Sequence, residues 1–167
     1  MAAGDPCYTR AMLPSRSALA VALLFAALVA GTSRAHAGGD WNDAHIGWQP
    51  YELGLAAAKK DKKPVCLVLY TEWCPHCTNY SAVFHDPKVV EQAKKFVMIR
   101  LDKDKNPEIS KKYAPDGEYI PRTFFLAANG DLDPSIHAPR DNYRYFYHEK
   151  DPAALLGGMS AALAKRP

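Results

Sequence analysis

The chain predicts an α/β fold, a central mixed sheet flanked by helices in a single domain. Three observations carry this. Helical and strand-like segments alternate along the chain, its strand candidates are apolar on both faces, and it is too short for two cores. With the first 37 residues set aside, about 130 remain, enough for one small domain with a real core.

The elements follow in order. Tyr51 to Lys60 carries Leu53, Leu55, Ala56 and Ala57 and ends in Lys59 and Lys60, where cations meet the negative pole of a helix. The charged patch Lys59-Lys60-Asp61-Lys62-Lys63 stops at Pro64 and reads as a solvated helix end. Val65 to Thr71 is an apolar run containing β-branched residues, as expected of a strand buried on both faces. A helix opens at Cys74. His85-Asp86-Pro87 then offers an N-cap with proline at the first helical position, and Lys88 to Lys95 continues as a second helical piece. Phe96 to Leu101 reads as another strand, Asn106-Pro107 begins a short helix to Tyr113, and Thr123 to Ala127 is a third strand. Asn129-Gly130 supplies turn chemistry before an expected partner strand. Asp151-Pro152 caps a final helix to about Ala164.

Residues 1–37 have the three parts of a secretory signal peptide. Arg10 and Arg16 make a basic start, and the uncharged stretch from Ala18 to Gly31 is roughly 14 residues, too short for the ~20 of a spanning helix. Ala35-His36-Ala37 puts small residues where signal peptidase needs them, so cleavage is expected before Gly38, leaving a domain at 38–167. Such a chain is periplasmic or secreted and keeps no membrane segment. Its formal charge falls from +3 to about +1 on processing, which gives no reason to expect a nucleic-acid partner.

Of four cysteines, Cys7 leaves with the leader and Cys66 sits inside the apolar run as an inert hydrophobe. Cys74 and Cys77 remain, in Trp73-Cys74-Pro75-His76-Cys77. Three residues apart in the first turn of a helix, they share one face at a distance a disulfide can close. Unpaired N–H groups at the helix start favour thiolate at Cys74, the expected nucleophile, while Cys77 lies deeper and resolves the mixed disulfide. Pro75 suits the first helical position, and His76 brings a positive charge near the sulfur when protonated. Both favour the reduced form, and each ~1.4 kcal/mol of such preference moves a two-electron couple by ~30 mV toward oxidising power. The pair therefore leans toward an oxidase or isomerase. No cofactor is required.

Other uses of the pair weigh less. Covalent haem attachment needs histidine where Thr78 stands, and a metal site lacks further ligands beyond His76 and His85. Asp102-Lys103-Asp104-Lys105-Asn106 starts like a calcium loop but has Pro107 where the glycine belongs and Tyr113 where the closing glutamate belongs. Trp41, Trp48 and the Tyr143–Tyr147 cluster are expected to fill core rather than line a peptide groove. Ile120-Pro121 precedes a strand, a position where a cis bond would be a built feature.

Trp-Cys-x-x-Cys after a buried strand, with Ile120-Pro121 before a later one, resembles the thioredoxin superfamily. More narrowly, Gly47-Trp48, Phe96-Val97-Met98, Pro115 to Arg122, Phe125-Leu126 and Tyr143 to Tyr147 resemble the small endoplasmic-reticulum thioredoxin-like proteins related to the anterior gradient proteins. The Cys-Pro-His-Cys motif is also that of bacterial periplasmic disulfide oxidases. The resemblance implies a thioredoxin fold, a cis Pro121 facing the cysteine pair, and substrate docking at Trp73, Ile120 and Pro121. Two departures stand out. Val68 occupies the place of the superfamily's buried acid, leaving Glu72 as a more exposed candidate for proton transfer at Cys77. The chain ends Ala164-Lys165-Arg166-Pro167 rather than in a retention tetrapeptide.

The reading is an exported thiol–disulfide oxidoreductase that exchanges disulfides with cysteine-containing protein substrates and is recycled by a redox partner. The alternatives are a periplasmic reductase of the same fold and a non-catalytic module holding a peptide or a metal.

Overall fold

A computed structural model describes Met1 and residues 38–165; the expected leader, with Cys7, lies outside the described residues. Three strands, β1 (Val65–Tyr70), β2 (Val97–Asp102) and β3 (Arg122–Leu126), form a sheet in the order β2-β1-β3. β1 runs parallel to β2, with Val65 opposite Val97, and antiparallel to β3, with Val65 opposite Leu126. Around the sheet lie α1 (Tyr51–Asp61), α2 (Pro75–Ser81), α3 (Pro87–Ala93), α4 (Pro107–Lys112) and α5 (Ala153–Ala164), with a 3₁₀ turn at Ala82–His85 between α2 and α3.

The alternation of the central strand divides the core in two. Cys66 and Val68 point to one face, with Met98 and Phe125, and meet the cysteine pair, Val83, Phe84, Val89, Leu155 and Met159. Val65, Leu67 and Leu69 point to the other, with Ile99 and Phe124, against Tyr51, Ala58 and Tyr113. Every residue from Val65 to Leu69 is therefore buried, which explains an apolar run without alternation. Each such aliphatic or aromatic side chain contributes roughly 1.5–3 kcal/mol by leaving water.

Three helices start as their sequences dictate, with proline at the first turn of α2, α3 and α4. Asp86 caps α3 by accepting from the N–H groups of Lys88 (2.8 Å) and Val89 (3.3 Å). α1 stops where Lys62 turns left-handed (φ 53°, ψ 35°), two residues before Pro64.

The expected partner strand after Asn129-Gly130 does not form. One antiparallel bridge joins Leu126 to Leu132. The chain then turns, because Asp133 Oδ1 accepts from Ser135 N–H (3.0 Å) and Ser135 Oγ (2.6 Å), while Pro134 has no donor to give a ladder. Irregular chain closes the edge of β3 instead: Thr123 N–H donates to the Tyr145 carbonyl (2.8 Å) and Asp133 N–H to that of Phe125 (3.3 Å).

On the opposite edge, Gln49 N–H donates to the Met98 carbonyl (2.9 Å). The preceding segment is locked by Arg100, whose guanidinium lies 5.8, 5.4 and 5.6 Å from the ring centres of Trp41, Trp48 and Tyr70 and pairs with Asp43 at 3.1 Å. Trp41, Tyr145 and Tyr147 are buried core, whereas Tyr143 is exposed.

Candidate active site

The end of β1 delivers the chain into α2, and the cysteines sit at that junction. Cys74 is the N-cap of α2, with extended backbone (φ −83°, ψ 112°), and its Sγ accepts the Cys77 N–H at 3.1 Å. A sulfur in a cap position thus satisfies one of the helix's unpaired donors. The Cys74 carbonyl accepts from Thr78 N–H (3.1 Å) and carries the first helical bond. Both thiols are free and both cysteines buried, Cys77 fully and Cys74 at 3 % exposure. Burial pushes the Cys77 thiol up, and the hydrogen bond with Cys74 adds to this, against a smaller opposing contribution from the Thr71 backbone. Cys77 therefore holds its proton until something takes it.

α2 is fastened from behind. Tyr80, fully buried, shares a hydrogen bond with Thr123 Oγ1 on β3 at 2.9 Å. Gly39 passes so close that a Cβ there would lie 2.9 Å from Thr78 Cα, and its φ of 98° suits glycine alone.

Of the expected docking residues, Trp73 is 70 % exposed, and its Nε1–H donates to Asp104 Oδ2 at 2.7 Å. The Ile120–Pro121 peptide is cis, Pro121 is buried, and Ile120 packs on the same hydrophobic cluster as Cys74 and Cys77. Glu72 is drawn outward: its Oε1 accepts from Lys105 Nζ at 2.6 Å, and its side chain is 47 % exposed. Val68, in the same cluster as the cysteines, offers no proton acceptor. Pro75 is exposed at the first turn of α2. His76 is exposed as well, but its Nδ1 lies 2.5 Å from Glu149 Oε1 and its ring meets Phe146 edge-on at 5.9 Å.

Two residues near the site carry no periodic or motif signal that assigns them a role. Glu149 is one, reaching His76 and, through Oε2, the side-chain amide of Asn79 at 2.9 Å. Arg122 follows the cis proline and is fully buried, with no carboxylate at ion-pair distance among the described residues. Its Nη1 donates to the carbonyls of Tyr113 (2.7 Å), Gly117 (3.0 Å) and Ser110 (3.3 Å), and its Nη2 to Ser110 Oγ (2.5 Å). The loop ahead of Pro121 is thus tied to β3. Asp116 adds to it, accepting from Tyr119 Oη (2.8 Å) and from Arg144 N–H (2.7 Å).

A capped, buried Cys-x-x-Cys at a strand-to-helix junction, with a cis Ile120–Pro121 bond directly before the antiparallel strand and Ile120 packed on the same cluster as the cysteines, defines a thioredoxin-like protein. The thioredoxin-like family model matches residues 47–128. The chain is 32 % identical to the anterior gradient protein 2 homolog of Homo sapiens over 124 residues, which are 74 % of this chain and 69 % of that one. It is 31 % identical to anterior gradient protein 3 of Xenopus tropicalis, over 74 % of each chain. This chain belongs to the thioredoxin-like family that includes the anterior gradient proteins. Among solved structures, a thioredoxin from Thermus thermophilus shares its fold with a TM-score of 0.54 at 21 % identity, covering 72 % of this chain and 89 % of that one. A DsbH oxidoreductase does so with a TM-score of 0.53 at 21 % identity, covering 83 % and 94 %.

Proposed function

We propose that this protein is an exported thiol–disulfide oxidoreductase acting on cysteine-containing protein substrates, with residues 1–37 as its cleaved leader. The observation that carries the reading is the Cys77 N–H held on Cys74 Sγ at the start of α2, with the second thiol buried behind it. Cys74 as thiolate attacks a substrate disulfide, forming a mixed disulfide and releasing one substrate thiolate. Cys77 then gives up its proton, attacks Cys74 Sγ, closes the Cys74–Cys77 disulfide and releases the second substrate thiolate. Run backwards, the same steps donate a disulfide. Pro75, His76 and the helix start tune the thiolate; Trp73, Ile120 and Pro121 receive an extended substrate segment. Membership of the thioredoxin-like family supports the chemistry.

The direction follows from the reduction potential, measured by equilibrating the purified protein in graded glutathione buffers at neutral pH and quantifying free Cys74 and Cys77. A value near about −120 mV fits disulfide donation, and one near about −270 mV fits a reductase. A Cys77→Ser variant is expected to accumulate mixed disulfides with substrates through Cys74. A protein that neither cycles nor traps partners is a binding module and sinks the proposal.

A further inference from the structure

Glu149 lies 73 residues beyond His76, in the irregular segment ahead of α5, yet its carboxylate reaches the active-site helix twice. Oε1 meets His76 Nδ1 at 2.5 Å and Oε2 accepts from Asn79 Nδ2 at 2.9 Å. The Glu149 side chain is 19 % exposed and that of His76 is 62 % exposed, so the carboxylate is the better-held partner of the two. Phe146 stands edge-on to the same imidazole. Glu149 and Lys150 also line a solvent-open cleft of about 540 Å³ beside α2, opposite Thr78, Asn79 and Asp86. An imidazole that would otherwise lend positive charge to the cysteine pair is therefore matched by a fixed negative one.

We infer that Glu149 is a positioning residue that sets the redox poise of the Cys74–Cys77 pair, holding His76 against a carboxylate and so making the pair more reducing than its Cys-Pro-His-Cys sequence alone would give. The inference rests on the oxidoreductase reading above. In the balanced couple, two glutathione thiols reduce the Cys74–Cys77 disulfide to two protein thiols and leave as glutathione disulfide. Charge that disfavours thiolate in the reduced protein shifts this equilibrium toward the protein disulfide.

The test is the glutathione equilibrium of the purified protein and four variants, Glu149→Gln, His76→Ala, the double variant of these two and Asn79→Asp, each checked for folding by circular dichroism. Glu149→Gln is expected to shift the equilibrium constant about tenfold toward the reduced protein, a rise of about 30 mV. The same substitution in a His76→Ala background should shift it by less than about threefold, because the carboxylate acts through the imidazole. Asn79→Asp, at an exposed position, adds a second carboxylate beside His76 and should move the constant the opposite way. It decides the matter alone if Glu149→Gln does not fold. A wild-type protein that cycles while these variants stay within about twofold of it overturns the role of Glu149 and leaves the oxidoreductase reading standing. An equal shift with and without His76 also overturns it. A wild-type protein that does not cycle overturns both.

Discussion

The N–H of Cys77 points at Cys74 Sγ across 3.1 Å, while the Cys77 thiol itself sits in the hydrophobic cluster beneath α2. Both side chains are buried, but only Cys74 Sγ receives a donor of the helix start, while burial pushes the Cys77 thiol up. This asymmetry divides attack from resolution, since the thiolate is the reactive species and burial suppresses it.

The first prediction follows from that asymmetry. In the reduced protein at pH 8, iodoacetamide should alkylate Cys74 at least about tenfold faster than Cys77, and Cys66 more slowly still, because burial pushes both of those thiols up. Peptide mapping of timed samples measures the three rates. Equal rates at Cys74 and Cys77 would remove the basis for assigning them different roles.

Arg122 yields the second prediction. Its guanidinium satisfies three carbonyls at the end of α4 and in the loop before Pro121, no carboxylate among the described residues forms an ion pair with it, and burial lowers its pKa against the weaker pull of Glu118 and Asp116. A lysine there keeps the charge but loses the planar fork, leaving buried carbonyls without donors at roughly 1–3 kcal/mol each. Arg122→Lys should therefore lower the unfolding free energy by about 3 kcal/mol and shift the urea midpoint without changing the slope. A loss under about 1 kcal/mol would mean that the loop holds itself.

These two cases mark what the sequence reveals and what it does not. β1, the cysteine pair and the proline-started helices are local: hydrophobic runs, spacing and ring constraints specify them within a few residues. Ile120-Pro121 was legible through its place before a strand and the superfamily resemblance. The partner strand failed because Asn129-Gly130 signals a turn equally well before a strand or before irregular chain, and the Asp133-Pro134-Ser135 turn cancelled the ladder. Glu149 and Arg122 act across 73 and up to 12 residues of chain through side chains with no periodicity to betray them. The sequence places His76 beside the cysteine pair, but only the fold brings the Glu149 carboxylate back onto its imidazole.

The third prediction concerns Cys66, which is fully buried in the central strand and outside the exchange chemistry. Burial raises its folded-state pKa well above the unfolded thiol value of about 8.5. The folded chain then keeps a proton that the unfolded chain releases. Stability from this group is complete below about pH 8.5 and falls as pH rises beyond it, by ~1.4 kcal/mol per pH unit. Cys77 moves in the same direction, and buried phenols such as Tyr80, Tyr113 and Tyr147 join the two thiols as the pH nears 10, so the reduced protein should weaken progressively above about pH 8.5. Cys66→Ala costs stability at every pH through the cavity it leaves, but it should cut that slope by about one proton. Urea melts of reduced wild type and variant at half-unit steps from about pH 7.5 to pH 10 separate the two effects, since the cavity shifts the whole curve and the thiol changes its tilt. An unchanged tilt would show that Cys66 ionises as readily in the folded sheet as in the unfolded chain, and that the space behind β1 admits water.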